Sequence, residues 1–105
     1  MEAQEAFKIL AKFEGWEMVS THWVNHNSVA MAVPDYLNDL NALVPVWERL
    51  EINTIQHFLS TPKGYQWETD LFGKNAHERN GHRKTLQEAA AIATAKAILA
   101  LTEGE

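Results

Sequence analysis

Cysteine is absent from the 105 residues, and that absence removes disulfide staples, thiol nucleophiles, zinc knuckles and redox pairs from consideration. It fits an intracellular setting. Long apolar runs are missing as well. Nothing approaches the roughly 20 consecutive residues that span a bilayer, and the chain opens with Glu2 and Glu5 rather than a basic segment. The expectation is a soluble, cytoplasmic protein with no membrane partner. An excess of positive charge is also lacking: nine Lys and Arg against 14 Asp and Glu leave a formal net charge of −5. That balance argues against a surface devoted to nucleic acid while leaving room for a local basic patch. No Gly-rich phosphate loop, Gly-x-Ser-x-Gly elbow or Ser/His/Asp order is visible, so no catalytic class and no cofactor is implied. What the chain does have is core material. Four Trp, four Phe and two Tyr within a hydrophobic content of 46% suffice for one domain spanning residues 1–105.

Proline and glycine are scarce, and each one punctuates. Ala3, Ala6, Phe7, Leu10 and Phe13 recur at helical spacing, so a first helix is expected from Glu2 to Phe13 with Gly15 as its C-cap. Trp16 to Val24 reads as strand, Asn25 to Ser28 as a turn, and Val29 to Val33 as a second extended piece closed by Pro34. From there Tyr36, Leu40, Leu43, Val44, Trp47 and Leu50 fall on one helical face, the stretch around which the chain is expected to pack. Asn38 reads as its N-cap and Asp39 as a first-turn acid. Pro45 lies inside the run. A kink near Asn41 is expected because the stripe keeps its phase; the alternative is a turn over 38–43 and a helix with Pro45 in its first turn.

Ile52 to Leu59 and Tyr65 to Phe72 read as strands joined by Ser60-Thr61-Pro62-Lys63-Gly64, which is hairpin chemistry. Alternation places Tyr65, Trp67, Thr69 and Leu71 toward the helices and Gln66, Glu68 and Asp70 outward. Residues 73–84 read as a loop holding four of the nine Lys and Arg and two of the five His. Thr85-Leu86-Gln87-Glu88 then opens a last helix with a capping box, and an alanine stripe runs along it to Gly104. The fold class is α+β: a small, mostly antiparallel sheet of three to four strands packed with three helices, in the order α-β-(β)-α-β-β-α.

Gly15-Trp16 after a first helix, Pro34-Asp35-Tyr36 with Asp39, Trp47 and Leu50 in a central helix, Trp67 in the second hairpin strand and an alanine-rich terminal helix together resemble the phage ABA sandwich domain, a family of small phage and prophage proteins. The resemblance spans nearly the whole chain. Two positions depart from it: Asn38 stands where the family usually has Ser or Thr, and Pro45 is not a family feature. The resemblance implies helices on both sides of a sheet and a viral origin, and carries no activity with it.

Among candidate sites, Asp35 and Asp39 are spaced to form a carboxylate pair or a hard-metal site, with helix capping as the alternative. Tyr36 offers a hydroxyl to a partner unless its ring is buried with that O–H satisfied. His22 and His26 on a strand lie too far apart to share one ion, so no metal is expected. His57, among apolar neighbours, reads as a packed residue. The sharpest feature is the cationic segment Lys74, His77, Arg79, His82, Arg83 and Lys84 leading into a helix N-terminus, which suits an anion or an acidic protein surface.

These residues, with Asp35 and Tyr36, form the expected partner-binding set. The expected function is a phage-encoded, non-enzymatic binding protein that antagonises a host factor, as a host-defence inhibitor does. Two alternatives stand beside it. One is a nucleic-acid-binding module, since a hairpin, Gly81-His82-Arg83-Lys84 and an alanine-rich helix resemble the C-terminal half of a double-stranded-RNA-binding domain. The other is a small enzyme of undefined reaction. A homodimer is also considered, with an interface drawn from Trp16, Trp23 or Met31 unless these are core.

Overall fold

Helix α1 (Ala3–Phe13) forms where the spacing predicts it and ends as Gly15 predicts. The protein is described by a computed structural model over residues 1–26, 32–73 and 82–103. Gly15 sits at φ +93°, its N–H donates to the Lys12 carbonyl, and the Trp16 N–H reaches back to Ala11 at 2.9 Å. That is a Schellman ending, in which a left-handed glycine lets two orphan carbonyls be satisfied at once. The remaining C-terminal carbonyls are taken from outside: Arg49 donates to Phe13 at 2.8 Å and Asn25 to Glu14 at 3.0 Å.

Trp16 to Val24 is not one strand. It folds into the hairpin β1 (Glu17–Val19) and β2 (His22–Val24), with Val19 opposite His22. The two-residue loop Ser20-Thr21 is possible because Ser20 adopts φ +57°, the positive dihedral that such tight loops require. The extended piece expected at Val29 to Val33 lies mostly outside the described residues.

The central stretch follows the second of the two readings of Pro45. A 3₁₀ turn at Leu40–Ala42 is capped by Asp39, whose carboxylate accepts from the Asn41 N–H at 2.9 Å. Helix α2 (Val44–Leu50) then starts afresh with Pro45 in its first turn. There the missing N–H would have been an orphan anyway, so the break removes the steric and hydrogen-bonding penalty that a kinked helix would carry. Asp39, not Asn38, is the cap.

Strands β3 (Ile52–Thr61) and β4 (Gly64–Gly73) form the expected hairpin, paired without interruption from Ile52↔Gly73 to Thr61↔Gly64. A short β5 (His82–Arg83), inside the segment read as a loop, pairs with β4 through Trp67 and Glu68. The sheet order is β3-β4-β5. Helix α3 (Leu86–Glu103) opens on Thr85, whose hydroxyl accepts from the Glu88 N–H at 3.2 Å.

The centre of the molecule is α3 rather than the stretch beginning at Pro34. Ala89, Ala90, Ala91, Ile92, Ala93, Thr94, Ala95 and Ala97 are all fully buried, because α1 packs on one side of this helix and β4 on the other. A helix apolar on every side is a buried helix, and alanine allows both neighbours to approach closely. Helix α2 joins the core through Leu43, Val46 and Leu50, and the Trp47 indole N–H donates to Thr94 Oγ1 at 2.9 Å. Thr94 in turn donates to the Ala90 carbonyl at 2.7 Å, so a polar pair is carried into the core fully satisfied.

Cross-strand partners share a face, so Ile52, Thr69 and Leu71 turn toward the helices while Ile55 and Phe72 turn away. The first three are buried and the last two are about half exposed. The described helices thus gather on one face of the sheet, not on both as the sandwich resemblance implies. Trp16 is buried and Trp23 packs edge-on against Phe7, so both serve the core rather than an interface; Met31 lies outside the described residues.

Candidate functional site

The β3–β4 hairpin outruns the helices that cover its base, and this exposes its far end. Tyr65 was expected to face the helical layer along with Thr69 and Leu71. It occupies the correct face, but at 68% exposure it stands beyond the layer's reach. Phe58 stacks on it at 5.2 Å and leans on Trp67 at 5.0 Å, which places three aromatic rings in a row with Phe58 itself 58% exposed. Rows of this kind bury area against each other and still offer flat apolar surface to a ligand.

Beside this row lies a groove of about 750 Å³ lined by Thr61, Pro62, Lys63, Gln66, Arg83, Lys84 and Glu88. Its local structure follows from the turn. The Thr61 hydroxyl donates to the Gly64 carbonyl at 2.6 Å and accepts from the Lys63 N–H at 3.2 Å, which fixes the loop with the exposed Lys63 at its tip. Opposite, β5 delivers Arg83 and Lys84 to the start of α3. Arg83 is committed internally: its Nε lies 3.4 Å from Glu88 Oε1, and its guanidinium also donates to the Met1 carbonyl. Lys84 is exposed, and among the described residues neither it nor Lys63 has an ion-pair partner. Three cations against one carboxylate, the latter already engaged, leave the groove positive in an acidic protein.

The expected partner-binding residues are distributed unevenly around this groove. Arg83 and Lys84 line it. His82 contributes its backbone to β5. Lys74, His77 and Arg79 lie outside the described residues. Asp35 and Tyr36 are not brought to the groove. Asp35 is exposed and accepts from the Asn38 side-chain amide at 3.1 Å, while its carbonyl accepts from the Asp39 N–H at 3.0 Å. The pair Asp35/Asp39 therefore serves local turns and capping.

Tyr36 is fully buried, packs edge-on against Phe7 and donates its hydroxyl to Glu14. Burial first, and then the hydrogen bond and charge of Glu14, raise its pKa far above the ordinary tyrosine range. It is a core residue, not a surface contact. His57 was read as packed; instead its Nε2 lies 2.8 Å from Asp70 Oδ2 with 40% of the side chain exposed, because it points to the uncovered face. Among the described residues no three His, Asp or Glu converge as a metal site.

Sequence reasoning missed Lys63 and the Phe58–Tyr65–Trp67 row. Lys63 was legible only as part of a turn. The row required the register Phe58↔Trp67 together with the length by which the hairpin exceeds its helical cover.

The fold is similar to that of a phage protein from Bacillus cereus ATCC 14579 solved at 2.0 Å. The two share 21% sequence identity and a TM-score of 0.56 over 95% of this chain and 91% of that one. At this identity the likeness is one of fold. No family model and no curated protein matches the sequence. No described helix is long and apolar enough to cross a membrane.

Proposed function

We propose that this chain is a phage-encoded, non-enzymatic binding protein of the phage ABA sandwich type, which engages an acidic surface on a host factor, in the manner of a host-defence inhibitor, within the host cytoplasm. The observation that carries the binding reading is the placement of Lys63 and Lys84 on one groove beside the exposed Phe58–Tyr65 stack. Unpaired cations draw an acidic partner and set its orientation, while exposed aromatic rings supply the desolvated contact that gives affinity. The phage origin rests on fold likeness to the Bacillus cereus protein. The residues that carry the family resemblance, Gly15, Tyr36 and Asp39, act here in a helix end, a core contact and a cap, so they speak for a fold and leave function to the groove.

The test is affinity capture from bacterial host cells with the wild type and a Lys63→Glu/Lys84→Glu variant, followed by identification of the bound protein. A host protein held by the wild type and released by the variant supports the proposal. One held equally by both removes the groove from the argument.

A second reading is favoured by a specific observation. Helices α1 and α3 lie on one face of a three-stranded antiparallel sheet, with a cation in the hairpin turn and another just before the closing helix. That arrangement resembles a double-stranded-RNA-binding domain, whose loop and helix start straddle duplex grooves. Duplex RNA titrated at two salt concentrations separates the readings. Under the nucleic-acid reading the affinity falls steeply with salt, and each lysine removed lowers the slope by about one.

A further inference from the structure

The two edges of the three-stranded sheet differ in kind. On one side β5 is two residues long and leads directly into α3. On the other, β3 presents ten residues in unbroken register with β4, and among the described residues no strand pairs with its outer edge. Helix α2 flanks only its beginning, where Ile52, Asn53 and Thr54 border Trp47 and Glu51. From Ile55 to Thr61 the strand contains no Lys, Arg, Asp, Glu or Pro and no bulge. Short length, edge charge, proline, bulging and cover are the devices that keep a sheet edge from pairing with another chain. Beyond its first residues, β3 lacks all of them. Its two faces also carry exposed apolar side chains, Ile55 at 49% on one and Phe58 at 58% on the other.

We propose that the occupant of this edge is a second copy of the chain, with β3 pairing antiparallel to its counterpart about a two-fold axis near His57. Residues that face each other across a strand pair share a face, so this register sets Ile55 against Leu59 of the second copy, apolar on apolar, and Phe58 against Gln56. The charge pattern selects a second copy. Each chain carries a net charge of −5, and most of its surface would repel another copy. The β3 segment brings no carboxylate to the pairing line, and its one titratable group, His57, already has Asp70 at 2.8 Å. The pairing also closes. An isologous contact uses the same edge twice, and the two-residue β5 edge leaves nothing on which a third copy could extend the sheet. The product is a dimer with one six-stranded sheet, not a fibre.

Sedimentation velocity on the full chain tests this, with two kinds of variant. The wild type is expected to pass from monomer to dimer in the micromolar range, since a single strand pairing lies at the small end of stable interfaces. Ile55→Lys places like charges at the pairing line, and should weaken the dimer by about tenfold or more without altering the circular dichroism spectrum. Because the chain has no cysteine, His57→Cys on oxidation should give a disulfide-linked dimer, whereas Glu17→Cys, on β1, should not. The cysteine arm does not depend on Ile55→Lys retaining its fold. A chain that stays monomeric into the millimolar range, or a dimer that Ile55→Lys leaves unchanged and that fails to cross-link at position 57, overturns the proposal.

Discussion

Gly73→Ala should be among the most damaging single-methyl additions this fold can receive, and the structure says why in two separable parts. Gly73 has φ +124°, a dihedral that L side chains rarely adopt, and holding such a residue there costs about 1–3 kcal/mol. A Cβ built on it would also lie 2.6 Å from the Glu51 carbonyl oxygen and 3.2 Å from the Ile52 Cα. Both neighbours are backbone. They cannot swing aside as a side-chain tip would, and Glu51 is itself held in the left-handed conformation that ends α2, at φ 57° and ψ 44°. Relieving the overlap means shifting the α2–β3 junction, at about 1–3 kcal/mol more on the scale of overpacked sites.

Gly64 is the control. Its φ is +98°, but nothing lies within 4 Å of the Cβ position, so Gly64→Ala carries the dihedral strain without the overlap. The expected loss is thus about 2–6 kcal/mol for Gly73→Ala and about 1–3 kcal/mol for Gly64→Ala. In urea denaturation, with an m-value of roughly 1–3 kcal/mol/M, the two midpoints should differ by about 1 M. Equal midpoints for the two variants would refute the reasoning, because they would mean that the contact with Glu51 contributes nothing.

Two further perturbations follow from buried hydrogen bonds. Trp47→Phe keeps most of the ring and removes the donor to Thr94, for a loss of about 1 kcal/mol by thermal or urea unfolding. Thr94→Val strands the indole N–H and should cost about 1–3 kcal/mol, with the double variant losing less than the sum. Alkaline pH should also weaken the fold through Tyr36. Below about pH 10 both folded and unfolded chains hold the phenolic proton. Above it the unfolded chain releases the proton while the folded chain, its Tyr36 pKa raised by burial and Glu14, retains it. Stability therefore falls with rising pH by about 1.4 kcal/mol per unit. Unfolding midpoints between pH 9 and 11.5 should show that slope in the wild type, and a slope shallower by this amount in Tyr36→Phe.

The parts of the fold that were legible in the sequence are those set by local chemistry. Gly15 marks the end of α1 because a Schellman ending needs one residue at positive φ, and Thr85 marks the start of α3 because its hydroxyl can reach the Glu88 N–H. The β3–β4 hairpin was readable from turn residues and alternation. What escaped depends on non-local packing. Periodicity reports how apolar a face is and not how many neighbours cover it, so the alanines of α3 read as one stripe although the helix is buried on every side. Ser20 gave no turn signal, because a serine at positive φ is an exception that only the Val19↔His22 pairing reveals. Pro45 admitted two readings because a stripe in phase across a proline is compatible with one kinked helix or with a 3₁₀ turn followed by a new helix.

The candidate site was half legible for the same reason. Arg83 and Lys84 stood out as a cluster in the chain, whereas Lys63 is twenty residues away and joins them only because the hairpin folds its turn back beside β5. This separation also explains the division of labour in the molecule. Gly15, Tyr36, Asp39 and Trp47 are all consumed by the contacts that seat α1 and α2 around α3, and a residue whose donor and acceptor are spent internally has little left to offer a partner. The distal hairpin makes few such commitments: Lys63, Tyr65 and Phe58 are exposed, and the strand bearing Phe58 keeps one edge open. Substitutions in the first group should therefore act through stability and shift unfolding midpoints. Substitutions in the second should leave those midpoints nearly unchanged and alter association, since surface positions away from caps, cores and buried networks usually move stability by less than about 0.5 kcal/mol.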